Sequence, residues 1–240
     1  MIYAEILAGG KGTRFGNNDL PKQFMMLQGK PIIIHTIEQF IMNEKIDKVV
    51  VVCPAAWIDY TRDLIRQNIG DNPRLFITVG GATRNESVIN GCNFIKDSFG
   101  LSDDDFVLTH DAVRPFVNQR IIEDNIKALE KYDGVDTAVP AYDTIIDARD
   151  GVIRSVPERQ YLYNGQTPQS FRITKLMKLY DSLSDEEKEI LTDACKIFVL
   201  KNEPVGVVRG ESYNIKITTV FDLKMATAIT EMDKHVKSAL

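Results

Sequence analysis

Leu7-Ala8-Gly9-Gly10-Lys11-Gly12-Thr13-Arg14-Phe15-Gly16, followed by Pro21-Lys22-Gln23-Phe24, is a glycine-rich run threaded with cations. It comes directly after an apolar stretch, Ile2 to Leu7, that reads as a strand. Glycines let backbone N–H groups approach phosphate oxygens closely. Arg14 and Lys22 would place charge where a phosphoryl group reacts. Together these residues describe a grip for a polyphosphate. Neither common phosphate loop fits the spacing. The dinucleotide fingerprint G-x-G-x-x-G, counted from Gly10, meets Gly12 but then Phe15 in place of its last glycine. The Walker pattern fails because no G-K-[ST] follows four variable residues. A nicotinamide-dependent enzyme is therefore disfavoured. An ordinary glycine-rich turn that happens to hold an arginine is the plain alternative, and Gly16 with Pro21-Lys22-Gln23 weighs against it.

Three further constellations carry chemistry. In Gly80-Gly81-Ala82-Thr83-Arg84-Asn85-Glu86-Ser87 a strand ends and a helix begins at once. Free N–H groups and the Ser87 hydroxyl then offer more dipoles than charge, which suits a base or ribose; a tight turn with a capped helix is the alternative. In Thr109-His110-Asp111-Ala112-Val113-Arg114-Pro115 a carboxylate stands at a strand end, out of place beside anions unless a cation binds there. Asp111 is thus a candidate Mg²⁺ ligand, since Mg²⁺ takes few carboxylates plus phosphate oxygens. Arg114 could pair with Asp111 or hold substrate. His110 reads as structural rather than as an acid–base group, because phosphoryl-type transfer to a phosphate oxygen needs no base. The last set is Arg159, then Gly165-Gln166-Thr167-Pro168-Gln169, then Tyr213-Asn214-Ile215-Lys216. Arg159, Thr167 and Lys216 suit a phosphate monoester, while surface ion pairs would explain Arg159 or Lys216 singly. Asp103-Asp104-Asp105 imitates a metal-binding D-x-D but precedes its strand, so a solvated loop is expected.

The elements that must position these residues alternate short β-rich runs with amphipathic helices, the pattern of a mostly parallel α/β sheet. Strands are expected at Ile2–Leu7, Lys48–Cys53, Leu75–Val79, Phe106–Thr109, Thr137–Ala141, Pro204–Arg209 and Asn214–Thr218. Helices are expected at Pro31–Met42, Trp57–Asn68, Arg84–Ile95, Asn118–Lys131, Ile173–Leu183, Asp193–Lys201 and Thr219–Asp233. Asp193 is placed to cap its helix. In open sheets of this type ligands sit beyond the carboxyl ends of the strands, which puts the glycine loop and Asp111 on one edge. Residues 141–163 break the alternation. Thr144–Ala148 and Val152–Val156 flank Asp150-Gly151, a hairpin turn pair. An isolated hairpin is marginal in water, so a projecting β-arm that packs on a second subunit is expected; folding back on its own domain is the alternative.

With 240 residues, 44% hydrophobic and 26% charged, the chain reads as one globular domain with a full core. A net charge of −5 argues against a nucleic-acid surface. No apolar run reaches membrane-spanning length, and Cys53, Cys92 and Cys195 match no metal spacing. An odd cysteine count without a secretion signal fits the cytoplasm.

The run A-G-G-x-G-T-R-[hydrophobic]-G…P-K-Q resembles the signature of sugar-nucleotide pyrophosphorylases and cytidylyltransferases. The ordered set AGGKGTRFG, PKQF, GGATRNESVING, HDAVRPF, YDTI, NGQTPQSF, LTDACKI and NIKITTVFDL resembles, over the whole chain, the cytidylyltransferases that activate a polyol phosphate with CTP. Methylerythritol-phosphate and ribitol-5-phosphate enzymes are the relatives in view, and Ile190-Leu191-Thr192-Asp193-Ala194-Cys195-Lys196-Ile197 looks like the ribitol branch. The resemblance implies a Rossmann-like, mostly parallel mixed sheet of nucleotidyltransferase type and a homodimer joined through the arm. It implies catalytic Arg14, Lys22 and Lys216, with nucleotide contacts from Leu7, Ala8, Gly9, Gly10, Gly12, Gly81, Arg84, Ser87 and Asp111. Arg114, Thr144, Arg159, Thr167 and Lys216 would surround the acceptor phosphate, Thr144 and Arg159 in the neighbouring subunit's site. Mg²⁺ would sit at Asp111. The implied reaction is CTP plus D-ribitol 5-phosphate, giving CDP-ribitol and pyrophosphate for teichoic acid or capsule assembly, beside a ribulose-phosphate reductase. Methylerythritol phosphate as acceptor, and a CTP-binding module without turnover, are the alternatives.

Overall fold

The computed structural model describes residues 1–10 and 20–238; Gly12 and Arg14 lie outside the described residues. The strands are β1 (Ile2–Leu7), β2 (Met26–Leu27), β3 (Lys30–Pro31), β4 (Lys48–Cys53), β5 (Leu75–Val79), β6 (Phe106–Asp111), β7 (Gly134–Pro140), β8 (Asp147–Arg149), β9 (Val152–Ser155), β10 (Tyr163–Gly165), β11 (Gln169–Arg172) and β12 (Val205–Arg209). The helices are α1 (Ile32–Ile41), α2 (Ile58–Asn68), α3 (Arg84–Phe99), α4 (Gln119–Ala128), α5 (Ile173–Asp181), α6 (Asp185–Glu189), α7 (Cys195–Leu200) and α8 (Val220–Ser238).

The main sheet runs β10-β7-β11-β6-β1-β4-β5, with β12 on the free edge of β7. β6, β1, β4 and β5 are parallel neighbours. β11 runs antiparallel between β6 and β7, so the sheet is mixed but mostly parallel. Parallel strands covered on both faces read as continuous apolar runs, and Lys48-Val49-Val50-Val51-Val52-Cys53 is one. Its residues divide by parity, as strand geometry requires. Val49 and Val51 join Ile33, Ile37 and Phe40 of α1, Ile65 of α2 and Ile121 and Ile122 of α4. Val50 and Val52 join Val88 and Ile95 of α3, Leu176 of α5 and Ile197 and Phe198 of α7 on the opposite face.

Helix starts are locally encoded. Thr83 and Glu86 form a reciprocal capping box on α3. Asn118 Oδ1 accepts the Ile121 N–H at 2.9 Å, and Asp193 Oδ1 accepts that of Lys196 at 3.0 Å. The hairpin β8–β9 forms around Asp150 and Gly151, whose φ values of +53° and +77° suit a type I′ turn. It makes a separate two-stranded sheet, and Tyr142, Ile145, Ile146, Val152, Ile153, Val156, Tyr161 and Tyr163 are all exposed around it.

Two expectations need correction. Asn214–Thr218 alternates like a strand but joins no ladder; it crosses the sheet edge, held by Ile217 N–H to Val113 O (2.9 Å) and by Arg114 to Asn214 O (2.8 Å). Asp103 and Asp104 are exposed, but Asp105 is buried, because its carboxylate takes the Met1 ammonium at 2.5 Å and the Ser102 N–H at 2.9 Å.

The central strand carries a buried acid. Glu5 points to the α3 face, and neither carboxyl oxygen has a hydrogen-bond partner among the described residues. Gly91 makes room for it: a Cβ there would stand 2.5 Å from Glu5 Oε1. Burial raises its pKa well above the usual carboxylate range, and the adjacent Cys92 thiol and the Arg84 charge offset this only in part. An acid whose folded pKa is raised stabilises the fold most below its unfolded pKa and loses that contribution as pH rises. Each pH unit between the two titrations costs about 1.4 kcal/mol. Glu5→Gln, neutral at every pH, is therefore expected to raise the unfolding midpoint at pH 8 and to lose that advantage near pH 4. Denaturant melts of both proteins at the two pH values check this.

Candidate active site

The carboxyl ends of β1, β5 and β6 open onto one cavity of about 210 Å³. β1 contributes Leu7, Ala8, Gly9 and Gly10; the turn after β5 and the start of α3 contribute Gly81, Thr83, Arg84 and Ser87. β6 contributes Asp111, followed by Ala112 and Val113. Lys22 comes from a 3₁₀ turn at Lys22–Phe24, and Lys216 from the crossing segment after β12. Ladder-like bonds continue past the strands, Ala8 N–H to Val52 O (2.8 Å) and Ala112 N–H to Leu7 O (3.0 Å), so the cavity floor is rigid. Gln23 ties the lysine turn to it, donating to Ala8 O at 2.8 Å.

Gly81 is sterically required, whereas a Cβ on Gly10 would only come into ordinary contact with Lys22 Cε at 3.4 Å. A Cβ on Gly81 would meet the Glu86 backbone carbon at 2.9 Å and break the cap of α3. Ser87 Oγ accepts the Gly81 N–H at 3.1 Å and donates to Thr83 O at 2.8 Å.

Asp111 is the electrostatic centre. Lys216 Nζ lies 3.0 Å and Arg114 Nε 3.2 Å from Oδ2, while Arg84 Nε is 3.4 Å from Oδ1. Burial would raise its pKa, but Arg84, Lys216 and Arg114 together outweigh burial and hold the carboxyl well below the usual range. Among the described residues that line the cavity, Lys22, Arg84 and Lys216 are the cations and Asp111 the acid.

A neutral layer lies directly beneath. His110 is fully buried, with Nε2 3.0 Å from Arg114 O and Nδ1 2.9 Å from Thr167 Oγ1. The carbonyl only accepts, so Nε2 carries the proton and Thr167 donates to Nδ1. Burial pushes the imidazole pKa down to about 4, with the Arg114 carbonyl bond opposing. Both ring nitrogens are engaged inside the protein, as a structural histidine requires. Thr167 is 3% exposed and also accepts the Asp111 N–H at 3.2 Å, so its hydroxyl is turned into the protein.

The structure thus gathers Leu7, Ala8, Gly9, Gly10, Lys22, Gly81, Arg84, Ser87, Asp111 and Lys216 around one space. Arg114 and Thr167 stand behind Asp111. Thr144 and Arg159 do not line this cavity; both are exposed in the segment around the β8–β9 hairpin, where Arg159 donates to Tyr142 O at 2.8 Å. Sequence reasoning placed Gln169 in the run 165–169 but gave it no role of its own; its amide reaches Arg84 at 3.2 Å.

The sequence profile described as "IspD: 2-C-methyl-D-erythritol 4-phosphate cytidylyltransferase" matches residues 2–232. A ribitol-5-phosphate cytidylyltransferase of Lactiplantibacillus plantarum is 53% identical over 231 residues, covering 96% of this chain and 99% of that protein. The 4-diphosphocytidyl-2C-methyl-D-erythritol synthase of Anaerococcus prevotii superposes with a TM-score of 0.79 at 28% identity, covering 96% of both chains. The 2-C-methyl-D-erythritol 4-phosphate cytidylyltransferase of Francisella tularensis gives 0.79 at 30% identity, covering 95% of this chain and 98% of that one. With its glycine-lined, cation-rich cavity and a profile match over nearly its whole length, the chain belongs to the 2-C-methyl-D-erythritol 4-phosphate cytidylyltransferase (IspD) family of CTP-dependent nucleotidyltransferases.

Proposed function

We propose that the chain transfers the cytidylyl group of CTP to D-ribitol 5-phosphate, giving CDP-ribitol and pyrophosphate. The observation that carries the acceptor is the 53% identity, over almost the full length of both chains, to a ribitol-5-phosphate cytidylyltransferase. Methylerythritol phosphate is the second reading, favoured by the names of the solved structures at 28% and 30% identity.

The chemistry asks little of acid–base groups. An acceptor phosphate oxygen attacks the α-phosphorus, a new P–O bond forms, and the bond to the β-phosphate breaks with release of pyrophosphate. The attacking monoester has a second pKa of about 6 and is deprotonated at neutral pH. The barrier is repulsion between anions, so convergent cations are the main catalytic device. In this reading Lys22 and Arg14 stabilise charge on the α-phosphoryl group and the departing pyrophosphate. Lys216 holds the acceptor phosphate beside Asp111, and Ser87 with the Gly81 turn receives the nucleoside.

Among the described residues no group of three metal-binding side chains occurs. One carboxylate, Asp111, faces the space where a triphosphate would lie, and Mg²⁺ favours that donor set of few carboxylates with phosphate oxygens. Bound there, the ion would neutralise and align the phosphates. The eight exposed apolar residues around the arm support a homodimer in which Thr144 and Arg159 reach the neighbouring site. The product would serve teichoic acid or capsule assembly in the cytoplasm, with a ribulose-phosphate reductase supplying the acceptor. Among the described residues no helix is long and apolar enough to cross a membrane.

Incubation with CTP, Mg²⁺ and a panel of polyol phosphates, with products identified by mass, tests the acceptor. CDP-ribitol is expected to form fastest; faster turnover of methylerythritol phosphate would select the second reading. Lys22→Ala is expected to lower kcat about 100-fold, the loss typical of one preorganised donor. Lys216→Ala is expected to raise KM for the polyol phosphate more than KM for CTP, and an unchanged acceptor KM would remove it from that pocket. Removal of divalent metal by EDTA is expected to stop pyrophosphate release, with recovery on adding Mg²⁺.

A further inference from the structure

The side chain of Gln169 is buried on the α3 face of the sheet, 2% exposed, and its backbone carbonyl is fixed by the Thr109 hydroxyl at 3.0 Å. Arg84 Nη1 donates to its Oε1 at 3.2 Å, and its Nε2 donates to Asp136 Oδ1 at 3.1 Å. Arg84 in turn lines the cavity and donates through Nε to Asp111. A guanidinium only donates and a carboxylate only accepts. The two neighbours therefore leave the amide one orientation, oxygen toward Arg84 and nitrogen toward Asp136.

We propose that Gln169, aimed by the Asp136 carboxylate, is a positioning residue that fixes the Arg84 guanidinium at the wall of the nucleotide cavity. This rests on the reading of that cavity as the CTP site. Arg84 needs such a second anchor because Asp111 is shared with Arg114 and Lys216, which hold its other oxygen. Without the amide oxygen, the guanidinium keeps one longer contact and gains freedom to swing. A displacement of about 1 Å in a group that meets the substrate is enough to cost large factors in rate.

The relay is also sensitive to protons. Asp136 faces Gln169 from β11, Asp193 and Cys195 at the start of α7, Arg84 from α3, and Gly165 from β10. Burial pushes its carboxyl up to about 6; the Gln169 bond pulls the other way and the Asp193 charge adds to the rise. Once protonated, Asp136 can donate, the amide can turn, and an NH₂ group then faces the guanidinium, which accepts nothing.

Asp136→Asn is isosteric and, like the protonated acid, does not dictate the amide direction. CTP affinity of wild type, Asp136→Asn, Gln169→Leu and the double variant is measured by calorimetry at pH 8 and pH 5, with kcat/KM alongside. Each single substitution is expected to weaken CTP binding about tenfold at pH 8, and the double variant no more than Gln169→Leu alone. The ratio of wild type to Asp136→Asn is expected to fall to about one at pH 5. Comparing the two proteins at the same pH cancels ionisation of the CTP phosphates. Additive losses, a ratio flat with pH, or wild-type affinity in Asp136→Asn would overturn the relay. If Gln169→Leu fails to fold, the Asp136→Asn pH series decides alone. Wild type that binds CTP yet turns over no polyol phosphate would sink the proposed reaction and leave the binding series to judge Gln169.

Discussion

One carboxylate holds the cavity together. Arg84, Arg114 and Lys216 come from parts of the chain up to 132 residues apart and converge on Asp111 within 3.4 Å. Like charges about 4 Å apart in a protein-like medium repel by about 4 kcal/mol. The carboxylate cancels that repulsion and so lets α3, the turn after β6 and the segment after β12 close around one point. The same arrangement gives an acid a place in a cation-lined cavity: it keeps Arg84, Arg114 and Lys216 assembled.

Both faces of the sheet carry buried polar groups. On the face covered by α1, α2 and α4, His110, Thr137 and Ser170 interrupt the apolar layer, and Asn125 of α4 hydrogen-bonds to Thr137 and Ser170. On the α3, α5 and α7 side, Glu5, Gln169 and Asp136 put polar groups among the apolar ones, each close to the cavity or its supports. Polar groups so placed cost stability unless partnered. Gln169 finds partners in Asp136 and Arg84, whereas burial disfavours the charged form of Glu5. His110 and Thr167 satisfy one another beneath Asp111.

Much of this was legible before any coordinates. The glycine run after β1, the second glycine pair before α3 and the acid at the end of β6 each follow a strand, and parallel strands deliver their ends to one edge. The hairpin was legible because Asp-Gly demands positive φ at both turn positions. What escaped was set by partners distant in sequence. β10 and β11 are short and divided, so no period could emerge from them. Asn214–Thr218 has a strand's alternation, but Arg114 and Val113 hold it across the edge. Asp105 looked solvated because its partner, the Met1 ammonium, lies at the other end of the count. The charged helix α6 lacks an apolar stripe, although its Ser184–Glu187 capping box was there to be read. Gln169 stood in a run that was read, but its role was not legible, because what an amide does depends on what stands on either side of it.

The three cysteines are free and buried, Cys53 in the layer under α1 and α2, Cys92 and Cys195 in the layer under α3 and α7. Burial raises the pKa of all three thiols, so little thiolate exists in the folded protein. Alkylating reagents therefore meet an inert surface. Their uptake becomes a clock for opening, with Cys53 timing exposure of one side of the sheet and the other two thiols timing its reverse.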